Sequence, residues 1–211
     1  MKYGLPPEDL GLVETKCPEM MCYQYLPIRI PDPTQYRKGQ GFAYKIPERL
    51  QWVSDLLRFI EVDKDDYVYL TAKNLWASAD NKGNRGGWHS DGFMTNDVNY
   101  IWYDCLPTEF AVQNFNITED CERSLKEFEE QVDIRHIITY PNQHLLKLTP
   151  ENIHRVSESR IEGFRTFVKI SVSKNKYNLK GNSHNYLFDY DWTMVNRFEE
   201  RNHPCRDFEE V

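Results

Sequence analysis

A chain of 211 residues, 40% hydrophobic and 14% aromatic, carries enough apolar mass for one domain around one core despite its 28% charged residues. Such a composition excludes wholesale disorder. The net charge of −7 offers no general basic surface to a phosphate backbone, so nucleic acid is disfavoured as a partner, although a local basic groove stays open.

Taken in order, residues 1–46 include the proline-rich run Leu26-Pro27-Ile28-Arg29-Ile30-Pro31-Asp32-Pro33, which predicts extended or turning backbone laid as a strap over a core. Pro47 then opens a helix whose apolar stripe is Leu50, Val53, Leu56, Leu57 and Ile60, suited to covering a sheet. A turn at 63–66 leads to a strand at 67–72 that is rich in β-formers. The polar, glycine-containing run 78–87 reads as a loop delivering the chain to a strand at 89–91. Further strands are predicted at 98–103, 109–115, 134–140, 145–148, 153–156 and 165–172. One helix interrupts them, with Thr118 as its cap and Cys121, Leu125, Phe128 and Val132 as its stripe. The tail from Lys174 is polar and aromatic by turns, and Asp189-Tyr190-Asp191-Trp192 points to ordered docking.

Helices flanking a block of seven or eight short strands predict a mainly β fold, closed or double-sheeted, with a jelly roll as the leading choice. The expected layout is a single domain over 1–211: a jelly-roll core at about 62–175, a strap and supporting helix at 1–61, and a C-terminal extension at 176–211. The five cysteines, Cys17, Cys22, Cys105, Cys121 and Cys205, are odd in number and match neither zinc-ribbon nor compact disulfide spacing, so they read as reduced thiols. No apolar run is long enough to span a membrane and the N-terminus lacks the apolar segment of a signal peptide, so a cytoplasmic location without membrane partners is expected.

Chemistry concentrates in Gly86-Gly87-Trp88-His89-Ser90-Asp91-Gly92. On an extended strand His89 and Asp91 share a face and offer a nitrogen and a carboxylate oxygen to one point. His154, on a later predicted strand, supplies a third donor. Two histidines and a carboxylate on one side of an ion are the donor set of non-haem Fe(II) oxygenases. Arg165 follows His154 by eleven residues, and Lys169 shares its strand face by period two.

The His89-x-Asp91 pair, His154 and the basic Arg165 together resemble the Fe(II)/2-oxoglutarate-dependent dioxygenase superfamily, over roughly residues 67–172. The resemblance implies a double-stranded β-helix, a cupin-like jelly roll, with His89, Asp91 and His154 as iron ligands and no catalytic residue beyond them. It implies Arg165 as the clamp on the distal carboxylate of 2-oxoglutarate, although Arg165-Thr166-Phe167 lacks the serine found two residues after the arginine in many members. Fe(II), 2-oxoglutarate and O2 are then the expected cofactor and cosubstrates, and hydroxylation of an unactivated C–H bond, with release of succinate and CO2, the expected reaction. Asn74 and Tyr103 are further candidates for 2-oxoglutarate contacts, with Tyr69 behind them. Lys169, Trp88 and Tyr100 are candidates for substrate or cosubstrate contact, Trp88 the weaker because it is out of phase with the ligands. A small molecule or a protein side chain is the expected substrate. Two other readings stay open: a zinc-dependent hydrolase on the same triad, and a non-catalytic jelly-roll binding module.

Overall fold

The computed structural model describes residues 2–32, 43–159 and 162–196. Its strands are β1 (Glu8–Leu12), β2 (Met21–Arg29), β3 (Tyr67–Ala77), β4 (Val98–Tyr103), β5 (Thr108–Ala111), β6 (Ile137–Thr139), β7 (His144–Leu148), β8 (His154–Val156) and β9 (Gly163–Ser173). They build two antiparallel sheets, one of six strands in the order β1-β7-β4-β9-β3-β2 and one of three in the order β6-β5-β8. Neither sheet closes into a barrel, so of the two architectures the strand pattern allowed, the double-sheeted one is present. From β4 onward the chain passes back and forth between the sheets: β4, β7 and β9 lie in the large one, β5, β6 and β8 in the small one.

The long strands β3 and β9 pair over eleven residues, and their side chains alternate in character as the pleat requires. Val168, Ile170 and Val172 of β9, Val68, Leu70 and Ala72 of β3, and Tyr100 and Trp102 of β4 all join one buried apolar cluster. Leu50, Val53, Leu56 and Leu57 complete that cluster from a helix at Glu48–Phe59. The helix is of the 3-10 type, and its sequence gives a reason. Leu50, Val53 and Leu56 recur every three residues, and in a 3-10 helix residues three apart stand directly above one another.

The opposite face of the large sheet meets the small sheet. There Ile101 and Tyr103 of β4, Leu146 and Leu148 of β7, Phe167 of β9 and Phe110 of β5 pack together. A third cluster joins Tyr3, Trp88, Phe93, Ile153 and Phe128, the last from helix α1 (Cys121–Gln131). Asp120, rather than Thr118, caps α1, accepting hydrogen bonds from the backbone N–H groups of Glu122 and Arg123. Thr118 is engaged elsewhere, donating its backbone N–H and its hydroxyl to the Glu127 carboxylate.

Three further differences from the sequence-based expectation have local causes. The stretch 134–140 begins as a 3-10 turn at Ile134–His136, because the Asp133 side chain accepts from the Arg135 N–H, and only Ile137–Thr139 is strand. In the stretch 109–115 the strand ends at Ala111, Gln113 beyond it bonds through its side chain to Gln131 and Asp133, and Phe115 makes only an isolated bridge with Tyr3. Within residues 1–46, β1 and β2 form the two outer edges of the large sheet, and residues 33–42 lie outside the described set.

After β9 the chain docks as it proceeds. Tyr177 and Leu179 are buried, the Asn185 amide donates to the carbonyls of Pro27 and Lys45, and the Trp192 ring meets the rings of Tyr67 and Tyr69 edge-on. The part of the expected extension beyond residue 196 lies outside the described residues. Cys17, Cys22, Cys105 and Cys121 are free thiols, and Cys205 falls outside the described residues. Among the described residues no helix is long and apolar enough to cross a membrane.

Leu56 is fully buried between the helix and the large sheet, so Leu56→Ala is expected to lower stability by about 2–5 kcal/mol in urea unfolding. Metal affinity at the site described next should be unchanged, because Leu56 lies on the other side of that sheet.

Candidate metal centre

His89 and His154 are joined through their backbones. The N–H of His89 donates to the carbonyl of His154 at 3.0 Å and the N–H of His154 returns a bond to His89 at 2.9 Å. This isolated antiparallel bridge adds His89 to the β8 edge of the small sheet. Directly opposed residues project to the same side, and the two imidazole centroids stand 4.5 Å apart.

Asp91 reaches the same point by a different route from the one expected. The predicted strand at 89–91 is only the single bridge at His89, after which the chain enters a turn at 91–94. Gly92 sits in that turn at φ +70°, where a Cβ would approach the Thr95 hydroxyl to 2.9 Å and the Asp97 Cβ to 3.0 Å. Only glycine satisfies both the dihedral angle and the space. The turn, rather than pleated-strand alternation, therefore aims the Asp91 carboxylate.

Ligand atoms of His89, Asp91 and His154 all lie within 4.8 Å of one another, with His154 Nε2 3.6 Å from Asp91 Oδ2. The outer nitrogens are tied to carbonyls: His89 Nδ1 to Gly87 at 2.8 Å and His154 Nδ1 to Asn152 at 3.0 Å. A carbonyl only accepts, so each Nδ1 is the protonated nitrogen, and the neutral form of each ring has its Nε2 lone pair available for a ligand. Burial, followed by the neighbouring His154, pushes the His89 pKa down to about 3. Burial works against the Asp91 charge, but the Lys169 ammonium holds its pKa well below the carboxylate range. Donor chemistry and protonation thus fit a divalent transition-metal ion.

The three residues line a cavity of about 100 Å³ between the sheets. Lys169 enters it from β9, donating to Asp91 Oδ2 and to the Tyr25 hydroxyl, each at 2.9 Å. Burial opposes the ammonium here too, yet the facing Asp91 leaves the Lys169 pKa raised.

The other residues singled out from the sequence are distributed differently. Arg165 is buried on the inward face of β9, outside the cavity lining, and its guanidinium donates to the carbonyls of Cys105 and Leu106, both at 3.1 Å. Burial pushes its pKa down to about 10. Tyr103 faces inward on β4 but spends its hydroxyl on the Tyr140 carbonyl, and burial pushes its pKa up to about 12. Asn74 donates to the Glu19 carbonyl on the opposite side of β3 from Lys73. Tyr100 faces the 3-10 helix and accepts from the Glu61 N–H. Tyr69 is inward but bonds to Asn175 and Tyr177. Trp88 is buried in the α1 cluster, with the Arg155 guanidinium 4.5 Å above its ring. None of these six lines the cavity.

Tyr25, Thr71, Lys73, Asn99 and Tyr177 do line it, and the sequence reading missed them. For three of them a signal existed. Thr71 and Lys73 alternate with Leu70 and Ala72, and Asn99 with Tyr100, so strands with one apolar face carry polar residues towards the interior. Tyr25, in a proline-rich segment at φ 47°, and Tyr177, beyond the last strand, carried none.

Set against known proteins, the chain matches no family model, no curated protein and no solved structure.

In the metal-free protein His89 is neutral when folded and protonates near pH 6.5 when unfolded. The unfolded state therefore binds more protons between about pH 6.5 and pH 3, and folding stability falls as pH falls through that window. With chelator present, urea midpoints should decline across it, and His89→Ala should make the decline shallower.

Proposed function

We propose that this chain is an Fe(II)- and 2-oxoglutarate-dependent oxygenase built as a double-stranded β-helix, hydroxylating an unactivated C–H bond. The convergence of His89, Asp91 and His154 in an inter-sheet cavity carries the reading. The strand order supports the fold. With the His89 bridge counted as a short strand, β3, His89, β4 and β5 alternate between the sheets, as do β6, β7, β8 and β9. The large sheet then runs β7-β4-β9-β3 and the small one β6-β5-β8-His89, with β1 and β2 added at the edges. Such interleaving is the winding of a jelly roll.

A ferrous ion held by His89 Nε2, Asp91 and His154 Nε2 would supply the chemistry by which O2 and 2-oxoglutarate become succinate, CO2 and one hydroxyl oxygen on the substrate. The chain's own contribution is placement. The carbonyls of Gly87 and Asn152 fix both imidazole tautomers, and Lys169 keeps Asp91 ionised and oriented. The small sheet and the Tyr25–Tyr177 pair, whose rings meet edge-on at 5.3 Å, wall the cavity.

A zinc hydrolase on the same triad is less well supported. The cavity lining contains one carboxylate, Asp91, and two imidazoles, His89 and His154. All three belong to the donor set, so among the described residues of the lining no separate carboxylate or histidine stands ready as general base.

Under anaerobic conditions, Fe(II) and 2-oxoglutarate added together should give the wild-type protein a visible charge-transfer absorption, absent in His154→Ala. Circular dichroism establishes that both are folded. A folded wild type that binds Fe(II) but stays colourless would remove the oxygenase reading.

A further inference from the structure

Asp97 is a buried acid that the metal centre does not use. It is 2% exposed and stands outside the lining of the metal cavity, and among the described residues no cation comes within ion-pair distance of it. Its side chain has one hydrogen-bond donor among those residues, the Tyr177 hydroxyl, at 2.6 Å from Asp97 Oδ2. Burying a carboxylate against a single neutral donor is costly, and packing alone would be served by apolar residues. Tyr177 is buried too, and burial, followed by the Asp97 charge, raises its pKa well above the usual phenol range. Such a pair is suited to oxidation of the phenol. Loss of an electron makes a phenol O–H strongly acidic, so its proton must pass at once to a base, and Asp97 stands at hydrogen-bond distance to take it.

The Tyr177 ring is also a junction. It stacks on Tyr69 at 4.3 Å between centroids and 3° between planes, and it meets Tyr25 edge-on at 5.3 Å. Tyr69 meets Trp192 at 6.5 Å, and Trp192 meets Tyr190 at 4.6 Å. Every step in this series lies within the contact range of aromatic pairs. At the inner end the Tyr25 hydroxyl accepts from Lys169, which also donates to the metal donor Asp91, each at 2.9 Å. At the outer end Trp192 and Tyr190 are half-buried and line a second cavity, of about 270 Å³. Tyr25 and Tyr177 line both cavities and so stand between them. Tyrosine and tryptophan give up one electron more readily than other sulfur-free side chains. Electron tunnelling falls steeply with distance, so rings in contact pass charge in short steps.

We propose that Tyr177 is a redox-active tyrosine, with Asp97 as the acceptor of its proton, through which oxidising equivalents leave the metal centre along Tyr69, Trp192 and Tyr190. The proposal rests on the oxygenase reading for the source of those equivalents. When O2 and 2-oxoglutarate react with no substrate in place, one oxygen atom enters succinate and the other leaves two oxidising equivalents at the metal centre. In each pass one electron moves from Tyr177 by way of Tyr25 to that centre, the Tyr177 O–H bond breaks, and the proton goes to Asp97. An electron from Trp192 or Tyr190, through Tyr69, restores Tyr177, and Asp97 returns the proton. A thiol or enediol reductant in solution gives the outer ring one electron. Two passes, with two protons from solvent, convert the second oxygen atom to water and spare His89 and His154 from oxidation.

The first test uses metal-free protein. Photogenerated ruthenium(III) tris(bipyridine), a one-electron oxidant too large to enter the interior, is flashed with the protein, and samples frozen at increasing delays are read by electron paramagnetic resonance. Wild type should hold a tyrosyl radical that outlasts those of exposed tyrosines. Tyr177→Phe should abolish the long-lived signal. So should Asp97→Asn, which keeps an oxygen for the hydrogen bond but cannot take the proton. Circular dichroism establishes that both variants are folded. A long-lived signal retained by either variant, or absent from wild type, would overturn the proposal. The second test adds Fe(II), 2-oxoglutarate and O2 without substrate: the same signal should appear, and ascorbate should remove it. Protein that gives the anaerobic charge-transfer absorption but no Tyr177 radical on admission of O2 would overturn the proposal and leave the oxygenase reading standing. Protein that lacks that absorption but forms the long-lived radical without metal would uphold Tyr177 and Asp97 as a redox pair and remove the oxygenase reading.

Discussion

The reciprocal backbone pair between His89 and His154 is the constraint on which the site depends. It joins a residue delivered by a long loop to one on the edge of a three-stranded sheet, and it presents two rings to one side. Each donor is also moored by an apolar neighbour in sequence. Trp88 precedes His89, Phe93 follows Asp91 by two residues, Ile153 precedes His154, and all three are buried in the cluster that Phe128 of α1 completes. For the two histidines, outward anchoring of the preceding residue holds the ring inward, while Phe93 anchors the turn that carries Asp91. The Trp88 N–H donates to the Glu129 carboxylate at 2.6 Å, which binds the loop to α1 as well.

Stability and chemistry are assigned to opposite faces of the same strands. On β3, β4 and β9 the residues that meet the 3-10 helix are apolar without exception in the central span, whereas inward positions include Thr71, Lys73, Asn99, Lys169 and Ser171. Buried polar groups cost free energy unless they are bonded, and most of these are. Ser171 donates to Asn99 at 2.6 Å, Lys169 to Tyr25, and Tyr177 to Asp97 at 2.6 Å. The apolar helix-side cluster sustains the fold, so the interior beside the metal donors can carry charge.

Much of this was legible in the sequence, and the parts that were not share a physical reason. The span of β4, the first half of β3 and the centre of β9 follow from runs of β-branched and aromatic residues, β7 and β8 from short runs of apolar residues, and the donor triad was legible because few residue types bind metals. The route to the triad was not. His89 and Asp91 converge through a bridge and a glycine turn, and neither a backbone exchange with His154 nor the Gly92 dihedral is written in the local pattern. Tyr25 reaches the cavity only because β2 lies beside β3 and the chain takes a left-handed angle there. Such placements come from long-range pairing, to which sequence periodicity is blind.

Arg165 and Lys73 show why strand register matters more than spacing along the chain. Arg165, the anion partner that the resemblance implies, does face inward. Yet β9 runs eleven residues, and Arg165 lies near its start, level with Leu75, whereas Lys169 lies level with Thr71 beside the donors. Four residues along a strand span about 13 Å, so two inward cations on one strand meet different surroundings: carbonyls of the 105–106 turn for Arg165, the Asp91 carboxylate for Lys169. Lys73, on the neighbouring strand, falls between them. Net charge describes the exterior of this chain, but the potential inside the cavity is set by a few side chains in low dielectric at short range, where solvent and salt screen least.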